Sequence, residues 1–136
     1  MQGKPIVVGG SPESRGVVAA ASYEARKYGI HSALPMKTAV KMCNSLVRIS
    51  PRFTRYRKIS SQIMSIFREV TCLVEPLSLD EAYLDISGLE CPEKIATDLR
   101  LRIKELTGLS ITIGGGVSKT IAKIASQLGK PNGLLL

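Results

Sequence analysis

With 136 residues, 44% hydrophobic and 22% charged, the chain suits one compact domain or a pair of small ones and is too apolar to be disordered by composition. Its three cysteines are odd in number and far apart, and His31 is its single histidine, which excludes a disulfide framework, a cysteine-based zinc site and a multi-histidine metal centre. Nineteen Lys and Arg against eleven Asp and Glu give +8, and no apolar run approaches the ~20 residues of a membrane span, so a reducing cytoplasm and no membrane contact are expected.

Residues 4–9 predict a short buried strand, and Gly9-Gly10-Ser11-Pro12 a turn. Residues 17–21 predict a second extended segment. Ser22 then caps a short helix over residues 23–28, closed by Gly29. Pro35 opens another helix, with Met36, Val40 and Cys43 on one face, and residues 46–49 predict a strand. After Pro51 comes a long amphipathic helix whose apolar stripe is Tyr56, Ile59, Ile63, Ile66, Phe67 and Val70. Strands over 72–79 and 82–87 follow, separated only by Asp80 and Glu81, which reads as a tight two-residue hairpin. After a loop over 88–92, Ile95, Leu99, Ile103 and Leu106 mark the inner face of a helix that ends at Gly108. Residues 109–113 predict a strand and Gly114-Gly115-Gly116 a bend. Ser118 caps a last helix carrying Ile121, Ile124, Ala125 and Leu128, stopped by Gly129 and Pro131.

From residue 53 onward the order is α-β-β-α-β, a βαββαβ ferredoxin-like unit without its first strand. The pattern suggests a chain that begins downstream of its natural start. Unpaired edge groups in such a sheet predict marginal stability.

Charge is distributed unevenly. Residues 1–68 hold 12 basic and 2 acidic side chains, and residues 69–136 hold 7 and 9. A polyanion-facing front joined to a back able to hold cations is expected, with nucleic acid or a nucleotide as the polyanion.

Four short segments carry candidate chemistry. Asp80 and Glu81, adjacent at a hairpin crest, can converge on a hard cation; Mg²⁺ takes one or two carboxylates plus substrate phosphates, although a solvated acidic turn looks the same. Tyr23 and Arg26, three apart, share a helix face and offer a hydroxyl and a guanidinium fork to phosphate; a surface stacking pair is the plainer account. Gly114-Gly115-Gly116-Val117-Ser118-Lys119-Thr120 fails the Walker spacing, because Ser118 rather than Gly precedes Lys119. It serves either a phosphate at a helix start or a bend that needs glycine. Lys130-Pro131-Asn132-Gly133 alone is ordinary turn chemistry. Asp85 reads as structural and His31 as a surface residue.

Taken together, four stretches appear in a telling order: Tyr23-Glu24-Ala25-Arg26-Lys27-Tyr28-Gly29-Ile30, Ser78-Leu79-Asp80-Glu81-Ala82-Tyr83-Leu84-Asp85, Ala122-Lys123-Ile124-Ala125-Ser126 and Lys130-Pro131-Asn132-Gly133. The chain resembles the Y-family translesion DNA polymerases, closest to the DinB or DNA polymerase IV branch, over essentially its whole length. The resemblance implies an α+β fold: a small α/β fingers domain over residues 1–51 and most of a ferredoxin-like palm over residues 52–136. Asp80 matches a metal-binding aspartate and Glu81 the adjacent catalytic glutamate, also a metal ligand. Tyr23, Arg26 and Lys130 match residues that hold the incoming triphosphate. The stretch 114–123 matches the palm loop and helix near the primer strand, which makes Ser118 and Lys119 primer contacts. Two Mg²⁺ ions, deoxynucleoside triphosphates, primer-template DNA and a sliding clamp are the implied cofactors and partners of a monomeric enzyme.

The chain departs from the family pattern in several places. Nothing in residues 1–6 matches the family's opening strand, with its further metal-binding aspartate and nearby sugar-discriminating aromatic. The thumb and little finger are expected beyond residue 136. Ala20 stands where relatives often have a threonine that helps hold the triphosphate, and Ser118 where many have Asn or Thr. With an incomplete metal cluster, the fragment alone is expected to be inactive. A catalytically inactive, polymerase-like DNA-binding accessory protein and an unrelated two-metal nuclease or cyclase on a similar palm are the alternatives. The latter has no use for the Tyr-x-x-Arg segment or the Lys-Pro-Asn-Gly turn.

Overall fold

A computed structural model describes residues 2–136. The chain divides into two compact units, the first ending at Phe53 and the second spanning Thr54–Leu136.

In the first unit, β1 (Ile6–Gly9) alternates half-buried and buried residues and lies at the centre of a three-stranded sheet. It pairs antiparallel with β2 (Val18–Ala21), with Val7 opposite Ala21, and parallel with β3 (Val47–Ile49), with Val7 opposite Arg48. Two short helices, α1 (Tyr23–Arg26) and α2 (Met36–Met42), complete the unit. Its core is Val7, Val18, Ala25, Ile30, Met36, Ala39 and Cys43. The predicted face of α2 is corrected at one position. Val40 is exposed and Ala39 fills the buried place, because the spacing from Met36 to Ala39 to Cys43 closes on the sheet more narrowly than the sequence stripe implied. The helix over 23–28 is also shorter than predicted: Gly29, in the left-handed region at φ 77°, ends a turn over residues 27–29.

Ser22 ties α1 to the sheet. Its Oγ accepts from the backbone N–H of Ala25 at 3.2 Å, as an N-cap does, and from that of Ile6 at 3.0 Å. Its own N–H donates to the Ile6 carbonyl at 2.9 Å. Ser22→Ala removes the cap and orphans the Ile6 N–H, so it is expected to cost about 1–2 kcal/mol, read as a lower urea midpoint at an unchanged slope.

In the second unit, α3 (Phe53–Val70) and α4 (Pro92–Thr107) pack around Ile66, Leu99 and Ile103, with Ile63, Phe67, Val70 and Leu84 against them. β4 (Val74–Pro76) pairs antiparallel with β5 (Ala82–Leu84), Glu75 facing Tyr83. β6 (Ile113–Gly114) precedes α5 (Lys119–Leu128), and β7 (Leu134–Leu135) returns parallel to β6.

Several expectations need correction here. The link between β4 and β5 is five residues, Leu77 to Glu81, rather than two. Pro76 has no N–H to extend the ladder, and the Ser78 hydroxyl bonds within the turn instead. The strands predicted over 72–79, 82–87 and 109–113 shrink to three, three and two residues. Leu106 points outward at 65% exposure, and Ala96 takes its place on the buried face of α4. Met64 is buried although it lay outside the predicted stripe of α3. On α5, Ala125 is buried while Ile121, Ile124 and Leu128 are exposed. β7 was not foreseen.

That uncovered apolar surface on α5 supports the expectation of marginal stability, since exposed apolar area contributes nothing to the core. The thermal midpoint of the chain is expected below roughly 65 °C, the upper end of ordinary mesophile domains, and calorimetry checks it.

Candidate active site

The turn between β4 and β5 presents the carboxylate pair. The Ser78 hydroxyl donates to Asp80 Oδ1 at 2.7 Å, while the Asp80 N–H donates back to Ser78 Oγ at 3.3 Å. The N–H groups of Leu77 and Ser78 both donate to the Glu81 carbonyl, at 2.9 and 3.2 Å. The backbone is therefore fixed at both carboxylates. Asp80 is exposed and Glu81 is half-buried.

Helix α5 supplies the opposing charges. Ser118 caps it, its Oγ accepting from the Ile121 N–H at 3.3 Å. One turn apart, Lys119 and Lys123 then face the hairpin. Lys119 bonds the Glu75 carboxylate and lies 5.7 Å from the centre of the Tyr83 ring. Lys123 Nζ donates to Glu81 Oε1 at 2.5 Å. That bond holds the Lys123 ammonium above the usual lysine range; partial burial opposes it, and the charges of Glu81, Tyr83 and Asp80 add to it. Asp80, Glu81 and Lys123 thus form one electrostatic cluster.

Lys130 follows α5, exposed, in a turn with a cis Lys130–Pro131 bond. The Arg100 guanidinium on α4 donates to the Asn132 carbonyl at 2.5 Å and to Asn132 Oδ1 at 3.3 Å, anchoring that turn. In the first unit, Tyr23 and Arg26 are both exposed on α1, while Ala25 between them is buried, so the two share an outward face. Arg26 Nε donates to the Ala21 carbonyl at 3.2 Å, which steadies the guanidinium against β2.

The glycine run is explained by packing. A Cβ on Gly114 would lie 2.1 Å from the Ser126 nitrogen, and one on Gly116 would lie 2.4 Å from Ile121 Cγ2. Asp85 is a turn residue: hydrogen bonds from the Ser87 hydroxyl and N–H hold its carboxyl below the ordinary range. His31 Nδ1 sits 2.8 Å from the Ser32 carbonyl, on the surface. Sequence reasoning gave no individual role to Lys123 or Arg100. The i,i+4 lysine pair on α5 was the available signal for the first; nothing local pointed to the second.

The chain matches the profile of the impB/mucB/samB family over residues 1–127. It belongs to that family. It is 56% identical to DNA polymerase IV of Alkalilimnicola ehrlichii, covering 98% of this chain and 39% of that protein. With DNA polymerase IV of Pseudomonas aeruginosa strain PAO1 it shares 49% identity, covering all of this chain and 40% of the relative. Among solved structures, DinB from Sulfolobus solfataricus superposes with a TM-score of 0.90 at 33% identity, over 99% of this chain and 41% of that one. An insertion ternary complex of Dbh DNA polymerase gives a TM-score of 0.86 at 33% identity, with coverages of 99% and 42%. The chain is thus an α+β region of the Y-family, DNA polymerase IV (DinB) type, spanning about two fifths of the length of these relatives. No helix among the described residues is long and apolar enough to cross a membrane.

Proposed function

We propose that this chain is part of a template-directed, Mg²⁺-dependent translesion DNA polymerase, supplying its fingers (residues 1–51) and most of its ferredoxin-like palm (residues 52–136). The observation that carries this reading is the 56% identity to a DNA polymerase IV across 98% of the chain. The α3-β4-β5-α4-β6 order supports the palm assignment.

The donor set at the turn fits Mg²⁺. Asp80 and Glu81 offer only carboxylate oxygens, and two carboxylates completed by substrate phosphates are a normal Mg²⁺ environment. Asp80 and Glu81 would hold the ions, which supply Lewis-acid stabilisation of charge on the transferring phosphoryl group. The reaction is in-line attack of a primer 3′-hydroxyl on the α-phosphate of a deoxynucleoside triphosphate; the new phosphodiester forms as the α–β phosphoanhydride bond breaks, pyrophosphate leaves and the hydroxyl proton passes to solvent. Toward a triphosphate, Arg26 offers a planar guanidinium fork, Tyr23 a hydroxyl donor and Lys130 a point charge, each able to offset its charge. Ser118 and Lys119 contact the primer strand. Primer-template DNA, the triphosphates and a sliding clamp are the partners of a monomeric, cytoplasmic enzyme. The chain by itself does not polymerise.

The test is primer extension by a full-length protein carrying this chain, with Mg²⁺ and four deoxynucleotides, beside its Asp80→Asn version. Extension that vanishes in the variant supports the reading. Equal extension by both sinks the metal-site assignment. A folded, DNA-binding protein that never extends a primer is instead an inactive accessory factor.

A further inference from the structure

The Glu81 carboxylate is bonded by a lysine from a distant part of the same chain. Lys123 reaches Glu81 from α5, 42 residues along the sequence, and the two side chains are 36% and 41% exposed. Solvent therefore already weakens the bond, and breaking it costs the fold little. The placement of α5 against β6 does not depend on it. Lys119, one turn earlier, holds Glu75 and lies against the Tyr83 ring, and the α5 backbone packs directly on Gly114. The flexible four-carbon stem lets the Lys123 ammonium leave while its helix stays in place.

We propose that Lys123 is the resident counter-cation of the Asp80–Glu81 pair and competes with the divalent ion for it. The inference rests on the metal-site reading above. Two adjacent carboxylates without a metal repel each other, and the ammonium offsets that repulsion. It carries one charge and has no capacity to bridge a carboxylate to a phosphate. A divalent ion, especially one arriving with a triphosphate, displaces it from Glu81. Lys123 thus sets the metal affinity of the carboxylate pair, keeping it low until nucleotide is present. It is a positioning residue and takes no part in bond making.

The readout is Mn²⁺ affinity, followed by electron paramagnetic resonance on a full-length protein carrying this chain, at fixed ionic strength. Lys123→Met is expected to bind Mn²⁺ about tenfold more tightly, since a unit positive charge beside the site is removed. Lys123→Gln is a second neutral variant that keeps a polar tip, and it is expected to move the same way. Lys104→Met removes the same charge from an exposed lysine bonded to Gly108 and Ser110 rather than to the carboxylate pair; it is expected to change affinity by less than about twofold, because an exposed charge outside the pair is screened. If Glu81→Gln abolishes Mn²⁺ binding but both Lys123 variants bind as the wild type or more weakly, the competition is overturned and the metal site stands. If no variant alters Mn²⁺ binding, or none binds, the metal site and the competition fall together.

Discussion

On the proposed function, Asp80→Asn is expected to lower single-turnover primer extension by a full-length protein carrying this chain about a thousandfold or more, a loss of several kcal/mol of transition-state charge stabilisation. The same change is expected to leave the thermal midpoint nearly unmoved. The side chain is exposed, and it accepts a hydrogen bond from the Ser78 hydroxyl. An asparagine Oδ1 accepts that bond equally well, and the Asp80 N–H still donates to Ser78 Oγ. The turn survives while the site loses an anionic oxygen. Glu81→Gln is expected to be similarly damaging, with one difference: it also releases Lys123 from its carboxylate partner. A loss of activity at Asp80 matched by an equal loss of stability would point to a structural turn residue instead. Activity retained within about tenfold would place the metal elsewhere, since a missing ligand removes far more than a missing orienting contact.

The fold was legible where its determinants are local. Ser22, Ser118 and Gly108 mark helix ends through bonds and angles that involve their own neighbours, and all three do so in the structure, whereas Gly29 closes the turn that follows α1. Strand lengths were less legible, because an alternating or apolar run does not say where a partner stops. Pro76 and the Ser78 hydroxyl together turn a two-residue hairpin into a five-residue link, a competition between side-chain and ladder bonding that periodicity does not weigh. β7 is not legible locally, because Leu134 and Leu135 become a strand only through parallel pairing with Ile113 and Gly114. Inner faces were read too broadly. Val40, Leu106, Ile121 and Ile124 repeat with helical spacing yet are exposed, while small Ala39, Ala96 and Ala125 make the close contacts.

The candidate site divides in the same way. Asp80 and Glu81 are neighbours in sequence, and Tyr23 and Arg26 are three apart, so their juxtaposition needs only a turn and one helix face. The bond from Lys123 to Glu81 spans 42 residues and that from Arg100 to Asn132 spans 32. Both depend on how helices dock on strands, which no local spacing encodes. Motif order along the chain supplied what geometry could not: it grouped four individually ordinary segments into one family, the family the profile match shows.

Gly114→Ala is expected to be strongly destabilising to the second unit. Its φ is not among the positive ones, so conformational freedom is not the reason for glycine here. The reason is distance. An added Cβ would stand 2.1 Å from the Ser126 nitrogen, 2.3 Å from the Ala122 oxygen and 2.7 Å from the Ala125 carbon. All three are backbone atoms of α5, and a helix backbone cannot swing aside as a side-chain tip can. The methyl wedges against the Ala122–Ser126 turn, so α5 must move as a body away from β6. Overpacking a core with flexible walls costs about 1–3 kcal/mol; with rigid walls the upper end or beyond is expected, a fall of roughly 10 °C or more in the midpoint for a unit of this size. Displacing α5 also draws Lys119 and Lys123 from Glu75 and Glu81. Mn²⁺ affinity is therefore expected to change along with stability. Gly108→Ala is the comparison. Gly108 lies at φ 73° with nothing within 4 Å of its added Cβ, so it carries only the left-handed strain of about 1 kcal/mol. Thermal unfolding of the two variants side by side decides the matter. A Gly114→Ala protein as stable as Gly108→Ala would mean that α5 does not rest on β6 at that glycine.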